Sequence, residues 1–313
     1  MQLKSNKTTW QEEAKRVAHG IRRRVLGLTI ERNGCYLSQA LSSADILATL
    51  YTKVINLGPS HAPWLPPPFA GVPGSERESQ SGAAYNGPQE PHLDRFLISA
   101  AHYAVAVYAA LVETGRMAPE GLAEFNTDGS SVEMIGAEHS PGYELPTGSF
   151  GQVLSQAGGI ALARRLRGDT GRIFVFMSDG EFQEGQTWEA IQAMAFYKLD
   201  NMIIYVDVNG QQVDGRMKDV MNIEPIAARL EAFGACAVTV DGHDVDTLAA
   251  AAESPGQVGK PLFVLAYTNP SQGVPLLDER KPHLHFVRFK DEAEIERYKA
   301  FLERMDRVSE KAV

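Results

Sequence analysis

Two kinds of hydrophobic pattern alternate along the second half of this chain. Strands of the kind buried in parallel sheets are predicted by continuous apolar runs at 172–177, 202–208, 235–240 and 261–268. Helices are predicted between these strands by apolar residues at helical spacing, at 185–198, 224–233 and 245–253. Strands that alternate with helices predict an α/β fold with a mostly parallel sheet and helices on both of its faces.

The first half of the chain is predicted to be helical apart from one proline-rich stretch. Apolar residues at helical spacing predict helices at 8–31, 42–55, 99–114 and 150–166, and a charged last helix is predicted at 291–312. Between Gly58 and Pro91 there are eight prolines and few aliphatic residues. Proline lacks an N–H donor and fixes φ, so the segment at about 58–92 is predicted to be an extended surface excursion. The pattern continues beyond it, which predicts one domain over residues 1–313.

Composition narrows the class of protein without naming a function. The chain is 44% hydrophobic and 22% charged, as in an ordinary globular protein, and its net charge of −9 argues against binding to nucleic acid. Its two cysteines, Cys35 and Cys236, form neither a disulfide framework nor a metal motif. The first residues lack an apolar signal core, and no run of eighteen apolar residues follows. We therefore expect a cytoplasmic protein that does not bind membranes.

Unusual polar residues follow two of the predicted strands directly. Ser178, Asp179, Gly180 and Glu181 come after the strand at 172–177, and Asn209 follows thirty residues after Asp179. Asp-Gly and Asn-Gly are also common turn dipeptides, so the prediction depends on the pair and its spacing. If the two strands are neighbours, a carboxylate, an amide oxygen and a nearby carbonyl converge at one sheet edge, which suits magnesium. A glycine and a following helix N-terminus also suit a diphosphate.

The polar stretch belongs to a longer pattern. Residues 178–215, SDGEFQEGQTWEAIQAMAFYKLDNMIIYVDVNGQQVDG, resemble the thiamine-diphosphate motif of transketolases, which begins with GDG and ends with an Asn. The resemblance extends in the same order over LSSADILATLY (41–51), DRFLISAAHYAVAVYAAL (94–111), ELPTGSFGQVLSQAGGIALA (144–163) and VDGHD (240–244). The chain is therefore similar to the diphosphate-binding (PP) domain of transketolases, as found in the N-terminal subunit of split enzymes. The match is specific for this cofactor-binding domain and much less specific for the substrate.

The resemblance implies bound thiamine diphosphate with Mg²⁺, or Ca²⁺ or Mn²⁺ in its place. It implies that the metal is held by the side chains of Asp179 and Asn209 and by the backbone carbonyl of Gln211. Ser178 replaces the first glycine of the family motif and is small enough to keep the diphosphate contact. Contacts with the cofactor as a whole are implied for His102, Gly148, Phe150, Ser178, Asp179, Gly180, Glu181, Asn209 and His285.

Catalytic roles are implied for histidines that occupy family positions. His102 would lie beside the diphosphate and the reacting carbonyl, although a histidine on an apolar helix is more often a packed core residue. His285, or else His283, would lie over the cofactor because QGVPLLDERKPHLHF resembles a family segment. Glu184 matches a glutamate at the subunit interface, although the helix dipole alone also favours a carboxylate there.

The sequence departs from the family where substrate is bound. The family has a histidine in a GHPGG-like segment, and here Tyr36 or Gln39 would occupy that place as a substrate contact. A second family histidine lies further before the TTG turn than His139 does, so His139 either substitutes for it or is simply a loop histidine. These departures put the usual sugar-phosphate substrates in doubt.

The resemblance also implies a partner chain. The glutamate that activates the cofactor belongs to a pyrimidine-binding domain, which is expected on a separately encoded transketolase C-terminal-type subunit, two of each chain forming the enzyme. The implied reaction is transfer of a two-carbon ketol unit from a ketose-like donor to an aldehyde acceptor. Two alternatives remain open: the α subunit of a 2-oxo acid decarboxylase or dehydrogenase, and a non-catalytic scaffold that binds the cofactor.

Overall fold

One parallel sheet forms the centre of the protein in the computed structural model, which describes residues 8–253 and 258–310. Its strands are β1 (Arg95–Ile98), β2 (Ile173–Ser178), β3 (Met202–Val208), β6 (Cys236–Asp241) and β7 (Leu262–Tyr267). They lie in the order β1-β2-β3-β7-β6, and every neighbouring pair is parallel. A small antiparallel hairpin outside the sheet pairs β4 (Gln211–Gln212) with β5 (Gly215–Arg216). The predicted α/β class is confirmed.

Helices cover both faces of this sheet. They are α1 (Trp10–Arg32), α2 (Leu37–Thr49), α3 (Ala104–Glu113), α4 (Gln152–Arg167), α5 (Gly185–Phe196), α6 (Met217–Val220), α7 (Ile226–Ala232), α8 (Val245–Glu253) and α9 (Glu292–Glu310). Side chains alternate across a strand, so Phe174 and Phe176 face a core shared with α1, α2, α3 and α8, whereas Val175 and Met177 face α4, α5 and α7. In the described part of the chain, no helix is long and apolar enough to cross a membrane.

The predicted boundaries fail where a strand meets a helix without a turn signal. The helix predicted at 99–114 starts later, as α3 at Ala104; a single 3₁₀ turn, Ala101–Tyr103, precedes it, and strand β1 ends just before the predicted range. The Ser99 N–H donates to the Phe176 carbonyl at 2.8 Å, so the parallel ladder extends past the end of β1. This places His102 in the turn at the carboxyl edge of the sheet.

The start of α2 also differs from its prediction. The helix begins at Leu37, well before the serines at 42 and 43 that were expected to start it. Ser42 and Ser43 lie inside the helix, where their hydroxyls donate to the Gln39 carbonyl at 3.1 and 2.6 Å. Gln39 therefore lies in the first turn of a buried helix.

The proline-rich excursion lacks strands and α-helices but is packed against the domain. Its one regular element is a 3₁₀ turn, Gly82–Asn86. Phe69 N–H donates to the Gly129 carbonyl at 2.9 Å, and Gly82 N–H donates to the Glu138 carbonyl at 2.7 Å. The far end is held by the buried Arg164 guanidinium, which donates to the carbonyls of Glu90, Pro91 and Leu93. The excursion is thus an irregular wall beside the segment that leads to α4.

The imidazole of His243 joins three separate segments of the domain. Its Nδ1 donates to Asp45 Oδ2 at 2.8 Å, and its Nε2 accepts from the Asn269 N–H at 2.8 Å. The carboxylate of Asp244 accepts from the Asp246 N–H at 3.0 Å and so serves the start of α8. The imidazole therefore links the loops after β6 and β7 to α2.

Candidate active site

A cavity of about 300 Å³ opens at the carboxyl ends of β2 and β3. The register pairs Ser178 with Asp207, so the two strands end side by side. Parallel α/β sheets commonly bind ligands at this edge. The cavity walls bring together many of the residues that the sequence indicated: Gln39, His102, Phe150, Ser178, Asp179, Gly180, Glu184, Asn209, Gln211 and His285.

A larger groove, of about 420 Å³, lies on the proline-rich excursion and does not resemble a catalytic site. It is lined largely by proline, alanine and glycine, together with the exposed His61 and a few neutral polar side chains. Catalytic pockets have convergent polar groups with perturbed pKa values, and the described part of the chain gathers such groups in the smaller cavity. The chemistry is therefore assigned to the cavity at the strand ends.

Asp179 and Asn209 lie next to each other at the two strand ends. The Gly210 N–H, one residue after Asn209, donates to Asp179 Oδ2 at 2.8 Å. Asn209 Oδ1 accepts from the Gln211 N–H at 2.9 Å, which curls the backbone after β3 into a tight turn. The prediction that one crevice holds both side chains is therefore matched by the geometry, with Gln211 in the same wall.

The electrostatics of this corner favour a bound cation. Burial raises the pKa of Asp179 well above its usual range, and repulsion from Asp207 raises it further. The side-chain oxygen of Gln211, Oε1, is also buried and accepts no hydrogen bond. Among residues 8–253 and 258–310, no group of three or more His, Cys, Asp or Glu could hold a metal. The mixed oxygen set of carboxylate, amide and carbonyl suits Mg²⁺, so these residues fit the implied ion.

The turn after β2 leaves room for a phosphate. A Cβ added at Gly180 would meet no heavy atom within 4 Å, so its Cα faces open space beside Asp179. The Ser178 hydroxyl is turned to Glu181 at 3.2 Å, and the same carboxylate accepts from the Ser178 N–H at 2.8 Å. The serine that replaces the motif's first glycine therefore braces the turn instead of blocking the cavity.

A buried carboxylate behind Asn209 organises the site. Asp207 is fully buried at the end of β3, and its oxygens accept from Ser42 Oγ (2.5 Å), Tyr103 OH (2.8 Å), Asn209 Nδ2 (3.1 Å) and the Thr268 hydroxyl. Burial raises the pKa of Asp207, and these hydrogen bonds oppose the rise. Because the amide nitrogen of Asn209 donates to Asp207, the amide oxygen, Oδ1, points away from Asp207.

The rings of His102 and His285 line the cavity, and the Tyr36 ring packs against both of them without being part of the lining. The His102 ring lies 5.2 Å from that of His285, and Tyr36 meets both edge-on, at 5.6 and 5.4 Å between centroids. Phe150 also contacts His102, with 5.5 Å between ring centroids. Burial lowers the pKa of His102 to about 3, and neighbouring His285 adds to the shift; burial lowers the pKa of His285 as well. Both imidazoles are therefore neutral near pH 7.

The depressed pKa of His102 makes a prediction for stability. Below about pH 6.5 the unfolded chain protonates this histidine and the folded chain does not, so the free energy of unfolding falls on acidification until about pH 3. One such group contributes a slope of at most about 1.4 kcal/mol per pH unit. We expect His102→Gln to flatten the pH dependence measured by urea unfolding from pH 7 to 5. An unchanged slope would mean that His102 is solvated.

Some predicted site residues lie outside the cavity lining. His139 stacks on Phe69 of the excursion, with 4.2 Å between ring centroids, and its Nε2 lies 3.0 Å from Glu133. Gly148 lies in the turn before α4 with φ of +105° and does not line the cavity. Glu181 is fully buried, and its carboxylate is used by Ser99 and Ser178. The structure therefore does not bring these three together with His102 and Asp179.

The position of His139 predicts a structural role. We expect His139→Ala to lower the free energy of unfolding by about 1 kcal/mol, because it removes a stacked ring pair. Turnover should change little, since His139 does not line the cavity. Urea unfolding and steady-state kinetics on the same preparation give the comparison. A large fall in kcat with unchanged stability would instead identify His139 as the substitute for the family's second histidine.

The cavity also contains residues that the sequence did not indicate. Tyr103 and Gln183 line it, as do Val213 and Val220, which are 67% and 48% exposed. Tyr103 could have been found from the sequence, because it directly follows His102. The two valines had none, because they reach the cavity from the β4–β5 hairpin and from α6, which give no hydrophobic periodicity. Glu184 is exposed at the cavity edge, at the start of α5.

A parallel sheet with a carboxylate, an amide and two neutral histidines around one edge cavity defines a cofactor-binding α/β enzyme domain. The sequence model of the family described as "Transketolase, thiamine diphosphate binding domain" matches residues 81–302. This chain belongs to that family. It is thus a transketolase-type transferase domain.

Similar proteins agree with this assignment. An uncharacterized transketolase family protein of Sinorhizobium fredii is 35% identical over 274 residues, 87% of this chain and 88% of that protein. One of the subunits of the apulose-4-phosphate transketolase of Actinobacillus succinogenes is 30% identical over 289 residues, 91% of this chain and 94% of that protein. A solved transketolase of Pichia stipitis shares the fold with a TM-score of 0.69 at 20% identity, over 97% of this chain and 45% of that one.

Proposed function

We propose that this chain binds thiamine diphosphate with Mg²⁺ and, together with a second subunit, transfers a two-carbon ketol unit from a ketose-like donor to an aldehyde acceptor. The observation that carries the proposal is the single cavity that unites Asp179 and Asn209 with His102 and His285. Its two widely separated cysteines suit a reducing compartment, and we place the proposed enzyme in the cytoplasm, in carbohydrate metabolism.

One end of the cavity would anchor the diphosphate. Asp179, Asn209 and the carbonyl of Gln211 would hold the cation, as expected for hard oxygen ligands. Gly180 leaves its side of the turn open to a phosphate, and Asp207 keeps the Asn209 oxygen turned away from itself. These residues take no part in bond making; they fix the position of the reacting ring.

The other end of the cavity would serve the reacting carbonyl. When bound, thiamine diphosphate would supply a carbanion nucleophile for the donor carbonyl. His102 and His285 are neutral in their buried positions, so each can donate one N–H to an oxygen that gains negative charge. Tyr36 packs edge-on against both histidine rings, and we propose it as an additional substrate contact in place of the family's histidine.

A second chain would complete the site. The rim formed by Val213 and Val220 is exposed, and Glu184 is exposed beside it. We propose that a pyrimidine-domain subunit covers this rim, supplies the glutamate that activates the cofactor, and assembles as two of each chain with Glu184 at the interface. The Actinobacillus succinogenes relative is named as one subunit of its transketolase, which supports a divided enzyme.

A reconstitution assay tests the proposal. The chain is co-produced with a candidate pyrimidine-domain subunit, sought first in the neighbouring reading frames, and ketoses are offered with aldehyde acceptors, in parallel with 2-oxo acids. We expect ketose cleavage that depends on thiamine diphosphate and Mg²⁺, and only when both chains are present. Decarboxylation of 2-oxo acids without ketose cleavage would contradict ketol transfer. Failure of calorimetry to detect cofactor binding to the complex would instead favour a scaffold.

A further inference from the structure

The loop that carries His285 is anchored to the residues just before α2. Cys35 and Val287 exchange two backbone hydrogen bonds, of 3.1 and 2.9 Å. Two residues further along, the Phe289 N–H donates to Asn33 Oδ1 at 2.8 Å. These contacts anchor the backbone two and four residues after His285 to the residues just before α2.

The side chain that meets His285 from that helix turn is Gln39. Its Nε2 lies 3.0 Å from His285 Nδ1, and its Oε1 accepts from the Ser38 hydroxyl at 2.9 Å. Gln39 is only 2% exposed, and both ends of its amide have partners within the protein. With Oε1 engaged by Ser38, the nitrogen that faces His285 is an amide NH₂, which can donate and cannot accept. In this orientation of the Gln39 amide, His285 Nδ1 is the acceptor, which leaves the ring hydrogen on Nε2.

The rest of the His285 environment supports this tautomer. His285 lines the cavity, and the described part of the chain offers no hydrogen-bond partner to its Nε2. The rings of Tyr36 and His102 pack against it and restrict its rotation. The Nε2–H of His285 therefore points away from Gln39, while its Nδ1 is held by the Gln39 amide.

We propose that Gln39 is a positioning residue that holds His285 as the Nε2–H tautomer, so that this histidine presents a hydrogen-bond donor to an anionic oxygen in the cavity. The inference rests on the proposed function and specifies it further: His285 binds an anionic oxygen and does not act as a base. That oxygen belongs either to the diphosphate or to the substrate carbonyl as it gains charge. Gln39, which the sequence suggested as a substrate contact, acts through His285 instead.

The tautomer can be measured directly on the wild-type full chain. Nitrogen-15 NMR of the imidazoles, with the His285 signals assigned by their loss in His285→Gln, should show a proton-free Nδ1 and a protonated Nε2. A wild-type Nδ1–H tautomer would overturn the proposal. This measurement needs no turnover, so it can fail while ketol transfer is present, and it can succeed while ketol transfer is absent.

Two variants test the consequence for function. Gln39→Glu replaces the amide donor with a carboxylate acceptor of the same shape, and Gln39→Met removes both the donor and the acceptor. Gln89→Glu, at an exposed position outside the cavity, controls for the added charge. We expect Gln39→Glu to move the ring hydrogen of His285 to Nδ1. Either cofactor affinity or kcat should then fall about 10- to 100-fold, as when the partner that orients a histidine is removed. Gln39→Met should give mixed tautomers and a smaller loss.

The kinetic pattern identifies the oxygen. A weaker affinity for thiamine diphosphate, measured by calorimetry on the two-subunit complex, would assign the His285 donor to the diphosphate. A lower kcat with unchanged cofactor affinity would assign it to the substrate oxygen. If Gln39→Glu inverts the tautomer and neither quantity changes relative to Gln89→Glu, the positioning role is wrong.

Discussion

Asp179→Asn is expected to weaken the Mg²⁺-dependent binding of thiamine diphosphate by roughly 100-fold or more, since a direct ligand should matter at least as much as the residues that orient it. Asp179 is the only carboxylate among the three proposed metal ligands, and the uncharged amide is a poorer ligand for Mg²⁺. Calorimetry with cofactor and Mg²⁺ on the two-subunit complex gives the affinity, and ketol transfer should fall with it.

The same substitution should not unfold the empty chain. It replaces a carboxyl whose charged form is disfavoured by burial and by repulsion from Asp207, while the Gly210 N–H can still donate to the amide oxygen. The thermal midpoint without cofactor should therefore be unchanged or higher. Asp128→Asn, in an exposed turn, is the matched control and should leave binding intact. Wild-type affinity in Asp179→Asn would place the cation elsewhere.

Asp207→Asn is expected to lower the free energy of unfolding by about 2–4 kcal/mol. The carboxylate accepts hydrogen bonds from four donor groups. In Asp207→Asn one of its two acceptor oxygens is replaced by an NH₂ group, which would meet at least one of these donors. Orientation of Asn209 should be lost as well, so Mg²⁺-dependent cofactor affinity should fall about 10- to 100-fold. Urea unfolding of the empty chain and calorimetry of the complex measure the two effects.

Thr268→Val provides the control for this network. It removes one of the four donors without changing the carboxylate or Asn209, and it should cost only about 1 kcal/mol. Cofactor affinity in this variant should stay close to that of wild type. Equal losses in Thr268→Val and Asp207→Asn would show that Asp207 is no more than a packing residue.

Much of the fold follows from local pattern. The strand predicted at 202–208 and the helix predicted at 245–253 agree with β3 and α8 residue by residue. Continuous apolar runs and helical periodicity are strong signals where an element is buried and bounded by turn residues. The helix predicted at 99–114 begins five residues later, at Ala104, because the mostly apolar residues that run from β1 through the turn at His102 into α3 do not mark where the helix starts.

The candidate site divides in a similar way. Asp179 and Asn209 were accessible to sequence reasoning because each directly follows a strand, and parallel strands end at one edge. Their burial against Asp207 was not, since the donors to that carboxylate come from α2, the turn before α3 and the loop after β7. No spacing along the chain indicates that Ser42 and Asp207 touch.

The sequence by itself determined the parallel α/β class, the family and the two strand ends that carry Asp179 and Asn209. Only the tertiary structure decided that His139 stacks on the excursion, that His285 stands beside His102, and that Gln39 turns its amide to His285. The physical reason is the range of the interactions. Periodicity and turn chemistry act within a few residues, whereas these side chains meet through strand order and loop pairing across most of the chain.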